Sequence, residues 1–282
     1  MTNFQFRRTT IHENLPLTDK IFRVRLEAPE IARAILPGQF VMLRLADFLD
    51  PLLGRALALY DIVRDDAGQP WGIDVVYKVE GKFTSRLSRF EPGQALAVWG
   101  PLGNGFTRRE VDHLILVAGG IGQTPFLAVA KQALGLAGYG DDLSQSPVPP
   151  PKQVTLCYGA RTAAEFAGLE DFRATGLQLK LCTDDGSQGH HGLVTELLEQ
   201  SLDESRGSCQ VLCCGPEPMM RVVAEIAARR EVDCQVSLET PMACGIGICF
   251  TCVAEVWQAD GTADYKRTCV EGPVFEARQI KW

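Results

Sequence analysis

The stretch that decides the fold runs from His113 to Leu134 and reads HLILVAGGIGQTPFLAVAKQAL. Its opening, HLILVAGG (113–120), is an unbroken apolar run that ends in glycines. A strand with no polar alternation is buried on both faces, as in a parallel sheet covered by helices. After the glycine turn, TPFLAVAKQAL (124–134) has helical character, with Thr124 placed to cap it and Pro125 suited to its first position. Gly119, Gly120 and Gly122 would let a pyrophosphate approach the backbone at a helix N-terminus, where N–H groups and the helix dipole favour anions. A G-x-G-x-x-G fingerprint would need glycine where Pro125 stands, and a tight strand–helix turn alone would use similar letters.

The same grammar continues downstream. QVTLCYG (153–159), LQLKLCT (177–183), CQVLCCG (209–215) and CQVSLE (234–239) read as strands, and EPMMRVVAEIAARR (217–230) as a helix. Strand–helix alternation predicts a parallel α/β sheet. CCGPEPMM (213–220) is a second strand–turn–helix junction, carrying Cys214, Gly215 and Pro216. Two junctions at one edge of a parallel sheet make a ligand crevice. LSQSPVPPPK (143–152) reads as a surface loop within this domain.

Upstream the pattern differs. KIFRVRLEAP (20–29), QFVMLRLA (39–46), IDVVYKVE (73–80) and ALAVWGP (95–101) are short, partly alternating strands. LPGQF (36–40) and EPGQA (91–95) repeat one Pro-Gly-Gln turn, in which Pro fixes φ and Gly supplies a positive one. Short strands between such turns predict a small antiparallel barrel. Arg55 in GRALALYD could pair with a phosphate. KVEGKFTSRL (78–87) could add Gly81, Lys82 and the Thr84 hydroxyl, although GKFT also reads as a plain turn.

Beyond residue 234 the sequence turns to thiols. ACGIGICFTC (243–252) holds Cys244, Cys249 and Cys252 at C-x4-C-x2-C spacing, and Cys269 follows in KRTCVEGP. Structural zinc usually draws two C-x2-C pairs, and only one is present. The observed spacing is that of plant-type [2Fe–2S] clusters. Two irons need two thiolates each, and a loop wrapped around them can supply three. Gly245 and Gly247 allow backbone N–H groups to approach the sulfurs and tune the potential. The other six of ten cysteines fall mostly in apolar runs and read as small buried hydrophobes.

Composition narrows the partners. The 282 residues carry a net charge of −7, which argues against nucleic acid and anionic membrane surfaces. MTNFQFRRTT has no apolar signal core, and no apolar run is long enough to span a bilayer. The expected location is the cytoplasm.

Together these segments resemble the ferredoxin-reductase family. AGGIGQTP, YGAR (158–161), TDDGSQGHHG (183–192) and CGPEPMM occur in that family's order. SLETPMACGIGICFTCVAEV, RTCVEGPVF and WGPLGNGF (99–106) are similar to the electron-transfer subunits of class 1B dihydroorotate dehydrogenases, and the likeness covers essentially the whole chain. It implies an FAD-binding β-barrel over 1–107, an NAD-binding α/β domain over 108–233 and a [2Fe–2S] domain over 234–282. The family's flavin motif R-P-[FIL]-S falls on Arg55, Ala56, Leu57 and Ala58, its second contact segment on Val76, Tyr77 and Lys78, and its G-T on Phe83 and Thr84. Ala56, Ala58 and Phe83 depart from it. Losing the Ser hydroxyl removes a hydrogen bond to the flavin worth about 0.5–1.5 kcal/mol. Phe83 puts a ring where backbone should approach a phosphate.

The resemblance further implies an FMN-containing catalytic partner that oxidises dihydroorotate to orotate, in a heterotetramer of two copies of each chain. Electrons would pass through the cluster and FAD to NAD. No residue here offers a base for dihydroorotate, and none is assigned a catalytic role, because the cofactors carry the chemistry. Glu239 is placed to approach the nicotinamide or to lie in solvent, and His190 and His191 read as loop surface. A reductase subunit of a hydrogenase, an NAD(P)H:ferredoxin oxidoreductase, a cluster-based redox sensor and a zinc-stabilised protein remain alternatives.

Overall fold

A computed structural model describes residues 4–141 and 148–282. Six strands, β1 (Gln5–Pro16), β2 (Ile21–Glu27), β3 (Phe40–Leu45), β4 (Arg55–Arg64), β5 (Pro70–Lys78) and β6 (Ala95–Leu102), close an antiparallel barrel in the order β1-β2-β5-β4-β3-β6. Its interior is filled by Val24, Leu26, Val41, Leu43, Val75 and Val98, each fully buried. Helix α1 (Pro29–Ala34) adds Ile31 and Ala32 to the same core. β1 and β4, whose sequences carry no clear strand pattern, complete the closure. The segment GKFT is not a plain turn either: it opens helix α2 (Lys82–Leu87), whose start is tied by Thr84 Oγ1 accepting from the N–H groups of Glu80 and Gly81 at 3.0 and 3.2 Å.

The central sheet contains β7 (His113–Gly119), β8 (Gln153–Ala160), β9 (Gln178–Thr183), β10 (His190–His191), β11 (Cys209–Cys214) and β12 (Asp233–Ser237), all parallel, in the order β10-β9-β8-β7-β11-β12. All seven residues of β7 are buried, as its apolar run predicts. Leu114, Leu116 and Ala118 face helices α3 (Phe126–Ala133) and α4 (Leu169–Ala174). Ile115 and Val117 face α5 (Val194–Glu204) and α6 (Glu217–Arg229) on the other side. The two histidines of the Gly-rich segment form a short edge strand rather than loop, and His190 pairs with Glu196 at 2.5 Å. Of the expected Ser/Pro loop, residues 143–147 lie outside the described residues.

The remaining chain forms the hairpin β13 (Val253–Trp257) and β14 (Ala263–Arg267), then β15 (Val274–Glu276), which joins the central sheet antiparallel to β12. Barrel and sheet are fastened through β4. The Tyr60 hydroxyl donates to Asp171 at 2.7 Å, while Asp61 accepts from Tyr139 at 2.7 Å and pairs with Lys131. No helix among the described residues is long and apolar enough to cross a membrane.

Candidate functional site

The sheet order reverses between β7 and β11, whose neighbours in sequence, β8 and β12, lie on opposite sides. Ligands of open α/β sheets bind at such switch points, outside the carboxyl ends of the strands. Here the barrel stands against that edge, and between them runs a cleft of about 620 Å³. That volume lies within the range of about 300–1,000 Å³ typical of small-molecule sites.

One wall is barrel. Arg55, Ala56, Leu57 and Ala58 of β4, Val76, Tyr77 and Lys78 of β5, and Gly81, Phe83 and Thr84 at the start of α2 all line it. The opposite wall includes Ile121, Gly122, Thr124 and Cys214. These expected flavin-side residues therefore reach one surface, whereas Lys82 turns away to pair with Asp50 at 3.3 Å. Two of them keep their rings buried. Phe83 is 1 % exposed and its ring belongs to the barrel core, so it does not obstruct the cleft as the sequence suggests. Tyr77 is buried too, stacked on Phe22, with its hydroxyl donating to Asn14 at 3.0 Å. Arg55 and Lys78 supply positive charge; Arg55 Nη1 donates to the carbonyls of Leu53 and Gly54, both at 3.1 Å.

The turn after β7 differs from expectation in detail. Gly120–Gln123 form one 3-10 turn, and α3 starts only at Phe126, with Pro125 at its N-cap and no side-chain cap. Thr124 therefore lines the cleft rather than capping the helix. Gly119 ends β7 and Gly120 opens the turn. Gly122 is fixed by space: a Cβ there would lie 2.3 Å from the carbonyl oxygen of Cys214, so only glycine lets the turn meet the end of β11. Burial pushes the Cys214 thiol up to about 12, and the Glu239 carboxylate adds to the effect. Gly215 and Pro216, expected beside Cys214, instead border a second cleft of about 280 Å³. Glu239 lines both clefts.

Of one wall of the large cleft, the segment Ser237–Met242, sequence reasoning named only Glu239. It leaves β12 at the sheet edge and leads straight into the thiol loop. The signal was its position between a predicted strand and Cys244.

That loop wraps against the barrel. Cys252 and Cys269 are 1 % and 2 % exposed and pack with Phe40, Met42 and Leu102, alongside Ala56, Trp99 and Met242. The indole N–H of Trp99 donates to the Cys244 carbonyl at 2.9 Å. Gly245 and Gly247 have φ of +73° and +82°, and a Cβ on Gly245 would meet Met42 Cγ at 2.6 Å. Donors already point at sulfur: Ile246 N–H at Cys244 Sγ (3.4 Å) and the Thr251 hydroxyl at Cys249 Sγ (3.2 Å). The Thr251 bond leads the effects that bring the exposed Cys249 thiol down to about 6. Burial, then the neighbouring Cys252, pushes Cys269 up to about 12. Four thiols, three on one loop and the buried Cys252 and Cys269 packed together, suit a two-iron cluster.

Asn104 ties this assembly together. Its side chain accepts from Val274 N–H at 2.9 Å and donates to Val274 O at 2.8 Å, joining WGPLGNGF to the strand that follows the last thiol.

Comparison with known proteins agrees with this arrangement. Residues 239–281 match the iron–sulfur cluster binding domain of dihydroorotate dehydrogenase B, and residues 116–225 the oxidoreductase NAD-binding domain. The electron transfer subunit of dihydroorotate dehydrogenase B (NAD(+)) of Desulforamulus reducens is 34 % identical over 93 % of this chain and 92 % of its own. That of Bacillus caldolyticus is 36 % identical over 97 % of both. Among solved structures, an NADH-dependent reduced ferredoxin-NADP oxidoreductase studied for flavin-based electron bifurcation superposes with a TM-score of 0.78 at 26 % identity, over 97 % of this chain and 90 % of that one. The ferredoxin reductase of carbazole 1,9a-dioxygenase shares the fold, with a TM-score of 0.65 at 21 % identity over 81 % of this chain and 67 % of that one. The cofactors are a [2Fe–2S] cluster, FAD and NAD. With barrel, switch-point cleft and thiol loop in one continuous arrangement, the chain belongs to the family of dihydroorotate dehydrogenase B electron transfer subunits.

Proposed function

We propose that this chain carries electrons between an FMN-containing catalytic subunit, which oxidises dihydroorotate to orotate, and NAD, in a heterotetramer of two copies of each chain. One observation carries the reading: the buried pair Cys252 and Cys269 shares a packed cluster with Phe40, Ala56 and Met242, which also line the large cleft. Cluster ligands and cleft are thus separated by single side chains, a distance that suits electron transfer. When bound, the flavin supplies the exchange between two-electron hydride chemistry and single electrons, and the cluster supplies one-electron carriage.

The residues divide the work. Cys244, Cys249, Cys252 and Cys269 hold the cluster. Arg55 and Lys78 neutralise flavin phosphates, while the backbone of Ala56–Ala58 and Val76–Tyr77 borders the ring system. Gly81, Phe83 and Thr84 contribute the backbone at the start of α2. Gly119, Gly120, Gly122, Thr124 and Pro125 shape the turn that receives the NAD side, with Cys214, Gly215 and Pro216 completing it. Around the thiols, Ile248 and Phe250 are 74 % and 64 % exposed, and Ile246 and Val270 stand beside them, an apolar rim suited to the catalytic subunit. All ten cysteines are free, in keeping with a cytoplasmic setting. The domains divide as 1–107, 108–233 and 234–282, the last lending most of β12 and all of β15 to the central sheet.

The test is to purify the chain with its native partner and assay dihydroorotate-dependent NAD⁺ reduction. The complex is expected to turn over, and the isolated chain to oxidise NADH with artificial acceptors but leave dihydroorotate untouched. A stable complex with another redox protein, inactive with dihydroorotate, would keep the reductase chemistry and remove the assignment to dihydroorotate.

A further inference from the structure

Gln123 is the residue whose surroundings the proposed function leaves unexplained. It is fully buried, at 0 % exposure, and neither its Nε2 nor its Oε1 has a hydrogen-bond partner in the protein. Among the described residues it is the one side chain whose entire polar group is buried without a partner. Buried carboxamides are nearly always paired, because an unmet donor or acceptor keeps the full cost of its desolvation. Leucine or methionine would fill the same space without that cost, so a glutamine here calls for a partner from outside the chain.

Its position says which. Gln123 closes the 3-10 turn Gly120–Gln123 at the switch point, immediately before the N-terminal end of α3. Side chains three apart on such a turn eclipse one another. Ile121 and Thr124 accordingly both line the cleft, and Gly122 lines it between them. Gln123 points about a third of a turn away from that pair. Gln123 itself does not line the cleft, so contact with a ligand there requires its side-chain torsions to turn the carboxamide past the Cβ-free Gly122. The turn itself cannot shift far, since Gly122 is pressed against the carbonyl of Cys214.

We propose that the Gln123 carboxamide pairs with the nicotinamide nucleotide when NAD enters the cleft, making Gln123 a further cofactor-contacting residue. A carboxamide offers one donor edge and one acceptor, and the matching ligand group carries both: a ribose diol or the nicotinamide amide. A diphosphate, which only accepts, would leave Oε1 unmet. The inference rests on the reading of this cleft as the NAD site.

The test uses the flavin- and cluster-loaded protein and two apolar variants, Gln123→Leu and Gln123→Met. Measured are the NADH dissociation constant, the FAD content per chain and the thermal midpoint without added nucleotide. The expected result is NADH binding weakened about tenfold or more in both variants, with unchanged FAD content and an equal or higher midpoint. Unchanged NADH affinity would overturn the inference, whether the midpoint rises (a merely buried amide) or falls (an amide satisfied by internal water). Loss of FAD with normal NADH affinity would also overturn it, moving the contact to the flavin. If wild-type protein fails to bind NADH, the reading of the cleft fails first. Should both variants misfold, a structure of the wild-type holoprotein with NADH decides: Gln123 within about 3.2 Å of a nucleotide atom is expected, and an amide turned away refutes the proposal.

Discussion

Phe83 offers the sharpest test of how barrel and cleft share one segment. The residue is 1 % exposed and packed with the barrel interior, yet it also borders the cleft. Truncation to alanine removes a buried aromatic and should cost about 3–5 kcal/mol. Such a loss also loosens the cofactor wall, so Phe83→Ala alone would be ambiguous. Phe83→Leu keeps an apolar side chain of similar bulk and should cost no more than about 1.5 kcal/mol. For a chain of this size that is a fall of about 2–6 °C in thermal midpoint. The assay pairs that midpoint, followed by near-ultraviolet circular dichroism, with the flavin-to-protein ratio after gel filtration. The leucine variant should melt slightly earlier and hold its full complement of FAD. A leucine variant with an unchanged midpoint and lost flavin would refute the reasoning, because the ring would then serve the cofactor rather than the core.

Replacing any one of Cys244, Cys249, Cys252 or Cys269 by serine should abolish stoichiometric iron and acid-labile sulfide while leaving FAD bound, as metal and flavin analysis will show. Gly122→Ala forces a Cβ toward the Cys214 carbonyl, 2.3 Å away, and should weaken NADH binding in a titration without lowering flavin content. Tyr60→Phe deletes the buried hydrogen bond to Asp171 and should destabilise the protein by roughly 1.5–3 kcal/mol, with a double-mutant cycle against Asp171→Asn returning most of that as coupling. His113 is buried between the hydroxyls of Ser205 and Thr155, and burial holds its pKa below the usual value of 6.5. The unfolded chain therefore binds that proton more readily, so stability is fully present above about pH 6.5 and falls as the pH drops below it; urea unfolding between pH 7.5 and 5 should show a flatter dependence in His113→Gln.

The parts of the fold legible in sequence were those written in local pattern. β7 announced itself because a strand covered on both faces has no polar alternation, and the thiol loop because its spacing serves two irons. β4 escaped because a register shift between Leu59 and Asp61 breaks its period of two. β1 has only two buried residues in twelve and is held by its ladders to β2 and β6. The direction of the Phe83 ring is set by barrel closure, a long-range event that no reading of GKFT contains. The same holds for Ser237–Met242, which becomes a cleft wall only once β12 has docked. Arg55 stood out as a possible phosphate partner, Ala56, Leu57 and Ala58 were found through family likeness, and β4 brings all four to the cleft.

The antiparallel pairing of β15 with β12 has a consequence for how the chain is made. β12 ends at Ser237 and its partner begins at Val274, with the whole thiol loop between them. During synthesis the barrel can close early, but the edge of the central sheet stays open until those late residues emerge. An uncovered edge strand invites pairing with other chains. A polypeptide stalled or clipped before Cys269 would therefore lose more than its cluster: it would expose β12 as a template for aggregation. Correct loop assembly and a well-behaved nascent chain are, in this protein, one event.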